Sequence, residues 1–199
     1  MSDLEKIIKN INNKNLHKAL ELCELYDNSN NSHIIHNLKG VIYHLQNNLE
    51  MAEICFQKSF KLNENILDPL KNLYIIYNKT KKIEEMINIG KKLVEKNQLD
   101  PSFNYKLAFA FDLKKNFSEA IKYYKICIEL NGKERNFALN NIGSIYLKQN
   151  KPKSSLDYFL KALSLGQNDK VVINNIFSNY IKLKDKKNSD IFYLKAENI

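Results

Sequence analysis

Aromatic residues recur along this chain at a nearly constant step. Tyr43, Tyr77, Phe111, Tyr146 and Tyr180 are separated by 34, 34, 35 and 34 residues. Four more ladders keep the same register. Gly40, Tyr74, Ala108, Gly143 and Phe177 stand three residues earlier, and Ala52, Met86, Ala120, Ser155 and Ser189 nine later. Phe56, Gly90, Tyr124, Phe159 and Tyr193 follow these by four residues, and Ser59, Leu93, Cys127, Ala162 and Ala196 by three more. Self-similarity at a step of about 20–50 residues is the mark of a stacked array. One unit cannot bury its own apolar stripe, so its neighbours supply the core.

The apolar residues inside each copy fall at helical spacing. Five Gly and three Pro among 199 residues leave few turn-formers for a sheet, which favours an all-helical chain. The pattern predicts helices over residues 3–12, 15–28, 33–46, 49–62, 67–79, 82–97, 101–114, 117–131, 136–149, 152–165, 170–183 and 186–197. Asn47-Asn48, Lys115-Asn116 and Asn150-Lys151-Pro152 mark turns. Pro101 and Pro152 fall in first helical turns, where a missing N–H costs little. Small residues such as Gly40, Gly143, Ala108, Ala120 and Ala162 mark close approaches between helix axes, and the aromatics fill the gaps. Burying one such ring contributes about 2–3 kcal/mol.

These residues resemble the tetratricopeptide repeat, whose unit of 34 residues is a helix–turn–helix. The copy at Asn136–Asp169 carries the motif best, with Leu139, Ile142, Gly143, Tyr146, Ser155, Phe159 and Ala162 in place. The copies from Pro101 and His33 follow, although Lys39 occupies a usually apolar position in the latter. The copy from Leu67 has Gly90 where an aromatic is expected. The resemblance implies an all-α, right-handed α-solenoid of about six repeats: 1–32 (degenerate), 33–66, 67–100, 101–135, 136–169 and 170–199, read as a single domain over 1–199. The first, degenerate repeat would cap one end. The last ends on Ile191, Phe192, Tyr193, Leu194 and Ala196 without a polar capping helix, so self-association through that end or a further domain is expected.

In this family the first helix of each repeat lines a concave groove, and binding residues come from registers 2, 5, 6, 9, 12 and 13. Register 5 reads Asn37, Lys71, Tyr105, Asn140 and Asn174; register 6 reads Leu38, Asn72, Lys106, Asn141 and Asn175; register 13 reads Leu45, Lys79, Leu113, Lys148 and Lys182. An Asn amide can donate to a peptide C=O and accept from its N–H together. Asn72, Asn141 and Asn175 therefore resemble the asparagine ladder in the repeat region of O-linked N-acetylglucosamine transferase, interrupted by Leu38 and Lys106. Asn140 and Asn174 stand beside them. Tyr105 and Phe109, with Ile75, are expected as apolar anchors, and Lys71, Lys106, Lys148 and Lys182 as steering charge for an acidic partner. Register 9 (Val41, Ile75, Phe109, Ser144, Ser178) has no Asn, so the carboxylate clamp of chaperone-tail-binding members is not matched.

The formal charge is +9, from 31 Lys and Arg against 22 Asp and Glu. One of the 31 is arginine, Arg135, and the chain has 29 Asn. Lys and Asn share AT-rich codons, so genome composition accounts for the excess as readily as an acidic partner does. Nucleic-acid binders favour clustered charge and Arg, whereas Lys here is dispersed among acids, so nucleic acid is not expected. Cys23, Cys55 and Cys127 form no CxxC pair; buried reduced thiols and a reducing cytoplasm are expected. No secretory leader and no membrane-spanning run is read from the sequence. His33 and His36 stand at i, i+3 without a third ligand, and no GxGxxG, GxxxxGK[ST] or GxSxG occurs. The expected function is therefore non-enzymatic, with no cofactor and no metal: an adaptor or scaffold binding a peptide or protein segment in the groove. The alternative is a substrate-presenting region of a larger glycosyltransferase- or sulfotransferase-type enzyme, which the reading frame beyond Ile199 would decide.

Overall fold

A computed structural model describes residues 2–27, 31–166 and 170–198. Among them lie twelve helices and no strand: α1 (Asp3–Asn12), α2 (Leu16–Leu25), α3 (Ser32–Leu45), α4 (Leu49–Leu62), α5 (Asp68–Lys79), α6 (Ile83–Lys96), α7 (Pro101–Leu113), α8 (Phe117–Glu129), α9 (Arg135–Lys148), α10 (Pro152–Ser164), α11 (Lys170–Lys182) and α12 (Lys186–Glu197). Most expected helix ends differ from these by a residue or two. The largest difference is at 15–28, where α2 stops at Leu25; residue 28 lies outside the described residues, as do the repeat boundaries expected at 169 and 199.

The turn inside each repeat is the same turn. Lys14, Asn47, Lys81, Lys115, Asn150 and Lys184 all have φ between 57° and 62°. The following residue then donates its N–H back across the turn. Asn48, Lys82, Asn116 and Lys151 reach the carbonyls of Tyr43, Tyr77, Phe111 and Tyr146 at 2.9 Å, and Asp185 that of Tyr180 at 3.0 Å. This is the Schellman closure, with one left-handed residue past the helix end. The aromatic ladder thus supplies rings to the core and carbonyls to the turn. The donor residue often caps the next helix as well: Asn48, Asn116 and Asp185 accept the N–H of Met51, Glu119 and Asn188.

The chain divides into two compact units, Met1–Leu93 and Val94–Ile199, with the boundary inside α6. In the first unit, Ile7, Ala19, Cys23, Ile35 and Ile42 form one buried cluster, which ties the degenerate first hairpin to α3. The Phe56 ring lies against Gly40, so close that a Cβ there would stand 2.5 Å from its Cε1. In the second unit Phe159 covers Gly143 in the same way, and Ser155 Oγ donates to the Gly143 carbonyl at 2.7 Å. Tyr124 holds that ladder position opposite Ala108. In the copy from Leu67 the sizes are exchanged: Tyr74 is buried on the first helix, and buried Gly90 replaces the aromatic on the second. In the last copy both are aromatic, Phe177 and Tyr193, with ring centroids 5.7 Å apart.

Lys39 is explained by its partner. Its Nζ donates to Asp27 Oδ2 at 3.2 Å, and its side chain is only 13% exposed. His36 is a core histidine rather than a surface one: it is buried, with Nε2 3.0 Å from Asp27 Oδ1. All three cysteines are buried. Burial pushes the Cys23 and Cys127 thiols up to about 12.

Candidate protein-interaction face

In the second unit the first helices α7, α9 and α11 lie side by side. Their registers 5 and 6 meet across the seams between repeats. Asn141 Nδ2 donates to Tyr105 Oη at 3.2 Å and to Tyr124 Oη at 2.9 Å. Asn175 Nδ2 donates to Asn140 Oδ1 at 3.2 Å. In the first unit Asn72 Nδ2 donates to Asn37 Oδ1 at 3.1 Å. One rule covers all three: the register-6 amide reaches the register-5 side chain of the preceding first helix. The amides are therefore not the open ladder drawn from register alone. Each commits a donor sideways because adjacent first helices bring these short side chains within hydrogen-bond reach. Both N–H groups of Asn141 are committed to the two phenols, so its amide oxygen, with the amide oxygen and second N–H of Asn175, is what retains capacity for a guest.

Tyr105 and Phe109 stack along α7, with centroids 6.4 Å apart and planes 10° from parallel. Both are half-buried. Burial raises the Tyr105 phenol above its usual range, opposed by the Asn141 hydrogen bond. Asn174 is exposed and Asn140 half-buried. Ile75, in the first unit, is exposed.

The four lysines differ in their surroundings. Lys71 pairs with Asp68 at 3.2 Å on its own helix. Lys106 Nζ donates to Ser102 Oγ at 2.7 Å. Lys148 reaches Asp112 Oδ1 of the preceding first helix at 3.1 Å. Lys182, at the end of α11, is exposed. The Lys148–Asp112 contact joins register 13 to the preceding register 12. Lys79 and His44 repeat it in the first unit, at 2.6 Å between Nζ and Nε2. Of the four lysines expected to steer a partner, Lys148 thus also links two repeats.

Sequence reasoning missed the apolar side chains that frame this face. Phe137 and Val171, at register 2, are 54% and 62% exposed; Leu113 and Ile181, at registers 13 and 12, are exposed as well. Their registers were the available signal. Among the described residues no group of three or more His, Cys, Asp and Glu could hold a metal ion. No described helix is long and apolar enough to cross a membrane.

Paired helices repeated at a 34-residue step define an α-solenoid repeat protein. The tetratricopeptide repeat model matches residues 34–66, 101–134 and 138–169, the three copies whose motif positions are best kept, and the chain belongs to that family. Members of the family are, in general, protein-interaction modules. No curated protein matches the chain in sequence. Solved structures do match in fold. A tetratricopeptide repeat protein from Parabacteroides merdae is 14% identical with a TM-score of 0.81, covering 98% of this chain and 78% of that one. MamA protein is 18% identical with a TM-score of 0.75, covering 82% and 89%. YrrB, described as a tetratricopeptide repeat protein with an unusual peptide-binding site, is 14% identical with a TM-score of 0.69, covering 88% and 90%.

Proposed function

We propose that this protein is a non-enzymatic adaptor that holds an extended segment of a partner protein against the first helices α7, α9 and α11. One observation carries the reading: Phe137, Val171, Leu113 and Ile181 stand exposed at registers that bind partners in this family, around the amides of Asn140 and Asn174. Apolar side chains left in water around hydrogen-bonding amides suit a guest that offers alternating side chains and a free backbone. Tyr105 and Phe109 anchor it, the unused valences of Asn141 and Asn175 meet its backbone, and Lys182 favours acidic character. YrrB, a structural neighbour with a peptide-binding site, supports this use of the fold. Work in the cytoplasm, and both units forming one array over 1–199, belong to the same proposal.

The test is selection of peptides against the full chain from a random display library, followed by calorimetric titration. Phe137→Ala/Val171→Ala should weaken selected peptides about tenfold or more, as loss of interface anchors does. Unchanged affinity in that variant and in Asn174→Ala would refute the placement.

A further inference from the structure

A second recess lies on the other helices of the second unit. The second helices α8 and α10 flank, over the start of α9, an open cavity of about 540 Å³. That is within the ~300–1,000 Å³ of ligand pockets. Its walls are mixed. Ile128, Leu139, Tyr158 and Leu165 give apolar surface, while Lys125, Arg135 and Lys161 bring three cations against one carboxylate, Glu129.

Arg135 is the only arginine in the chain. One end of its guanidinium is held, since Nη1 donates to Asn131 Oδ1 at 2.7 Å. Its Nε is buried without a hydrogen-bond partner. A buried charged donor with no acceptor is costly, and an anion placed against it recovers that cost. Lys161 is held in place by the Tyr158 ring, with Nζ 5.4 Å from its centroid. The C-terminal ends of α8 and α10 oppose negative charge here and the first turn of α9 favours it, so the cationic side chains decide the preference for an anion.

The first unit provides an internal control. The equivalent recess there, between α4, α5 and α6, holds about 220 Å³. Stepping by the repeat, Gln57 replaces Lys125, Phe60 replaces Ile128, Lys92 matches Lys161, and no arginine is present. Repeat geometry alone therefore makes a small recess with one lysine. The larger volume and the added cations belong to this seam.

We propose that the α8–α9–α10 cavity is a second binding site, separate from the first-helix face, that takes a peptide carboxylate flanked by a bulky apolar side chain. The guanidinium fork receives the carboxylate through Nε, the two lysines add charge, and Ile128, Leu139 and Leu165 pack the apolar neighbour.

The probes are blocked peptides that place Glu between Leu and Phe, each paired with its Gln counterpart. They are titrated into the full ¹⁵N-labelled chain and followed by amide shifts. The expected result is shifts centred on Ile128, Leu139 and Leu165, with the Glu peptide bound about tenfold more tightly than the Gln peptide. Arg135→Gln should abolish that difference, and Arg135→Lys, which keeps charge without the fork, should lose most of it. Lys161→Gln, on a different helix, should reduce the difference with the fold intact. Equal binding of the Glu and Gln peptides, shifts centred elsewhere, or an undiminished difference in both Arg135→Gln and Lys161→Gln would overturn the proposal.

Discussion

Replacing Asn141 by Ala is the sharpest test of the seams between repeats. The amide donates to two phenol oxygens, that of half-buried Tyr105 and that of Tyr124, whose side chain is fully buried. Each such bond contributes a net ~0.5–1.5 kcal/mol, so the loss should be about 2 kcal/mol. For a chain of this length that corresponds to roughly 4–8 °C in Tm. Asn174→Ala is the reference. It makes the same change of residue inside a first helix, at an exposed position, so the change in helix propensity cancels in the comparison. Urea unfolding should show the midpoint of Asn141→Ala shifted well below that of Asn174→Ala with unchanged slope. A double-mutant cycle with Tyr105→Phe should return a coupling of about 1 kcal/mol, since the two side chains share one bond. If Asn141→Ala falls within ~0.5 kcal/mol of Asn174→Ala, or the cycle gives no coupling, the seam does not hold the repeats as argued.

Gly143→Ala would place a Cβ 2.8 Å from two carbons of the Phe159 ring. Overpacking of about 1–3 kcal/mol exceeds the ~1 kcal/mol that Ala gains in a helix, so calorimetry should show a lower Tm; an equal or higher one counts against the contact. Lys184 sits at φ 58°. Lys184→Gly should stabilise by about 0.5 kcal/mol, the left-handed strain relieved outweighing the added unfolded-state entropy, whereas Lys91→Gly inside α6 should destabilise by about 1 kcal/mol in the same urea assay. Burial lowers His36 and His44, assisted by Lys58 and Lys39 at His36, where Asp27 opposes, and by Lys79 at His44. The folded state then binds fewer protons than the unfolded one, so this stability is present above about pH 6.5 and is lost as pH falls below it. The urea midpoint should drop between pH 7.5 and 5.5, and His36→Gln/His44→Gln should flatten the drop.

The period, the helices and the stacking partners were legible because burial imposes the same residue types at the same register in each copy. Gly90 read as a defect in isolation; the partner ladder shows Tyr74 as its large counterpart. The positive φ at Lys14, Lys81, Lys115 and Lys184 was not legible, since Lys carries no left-handed preference and the Schellman turn imposes it. The amide seams were hidden for another reason. Register says which side chains line a face, but not that Asn72 and Asn175 lie within reach of Asn37 and Asn140 on the helix before. The exposed Phe137 and Val171 were hidden by a choice of registers rather than by physics.

The Asn140–Asn175 pair also bears on the elasticity of the second unit. A clasp made of two neutral amides opens at small cost, and either amide can exchange its neighbour for a main-chain group of similar polarity. A ligand strand that makes this exchange would open the amide link between α11 and α9 as it docks, while Val172 and Ile176 keep α11 packed on Phe159. Recognition and compliance of the scaffold would then draw on the same pair of side chains.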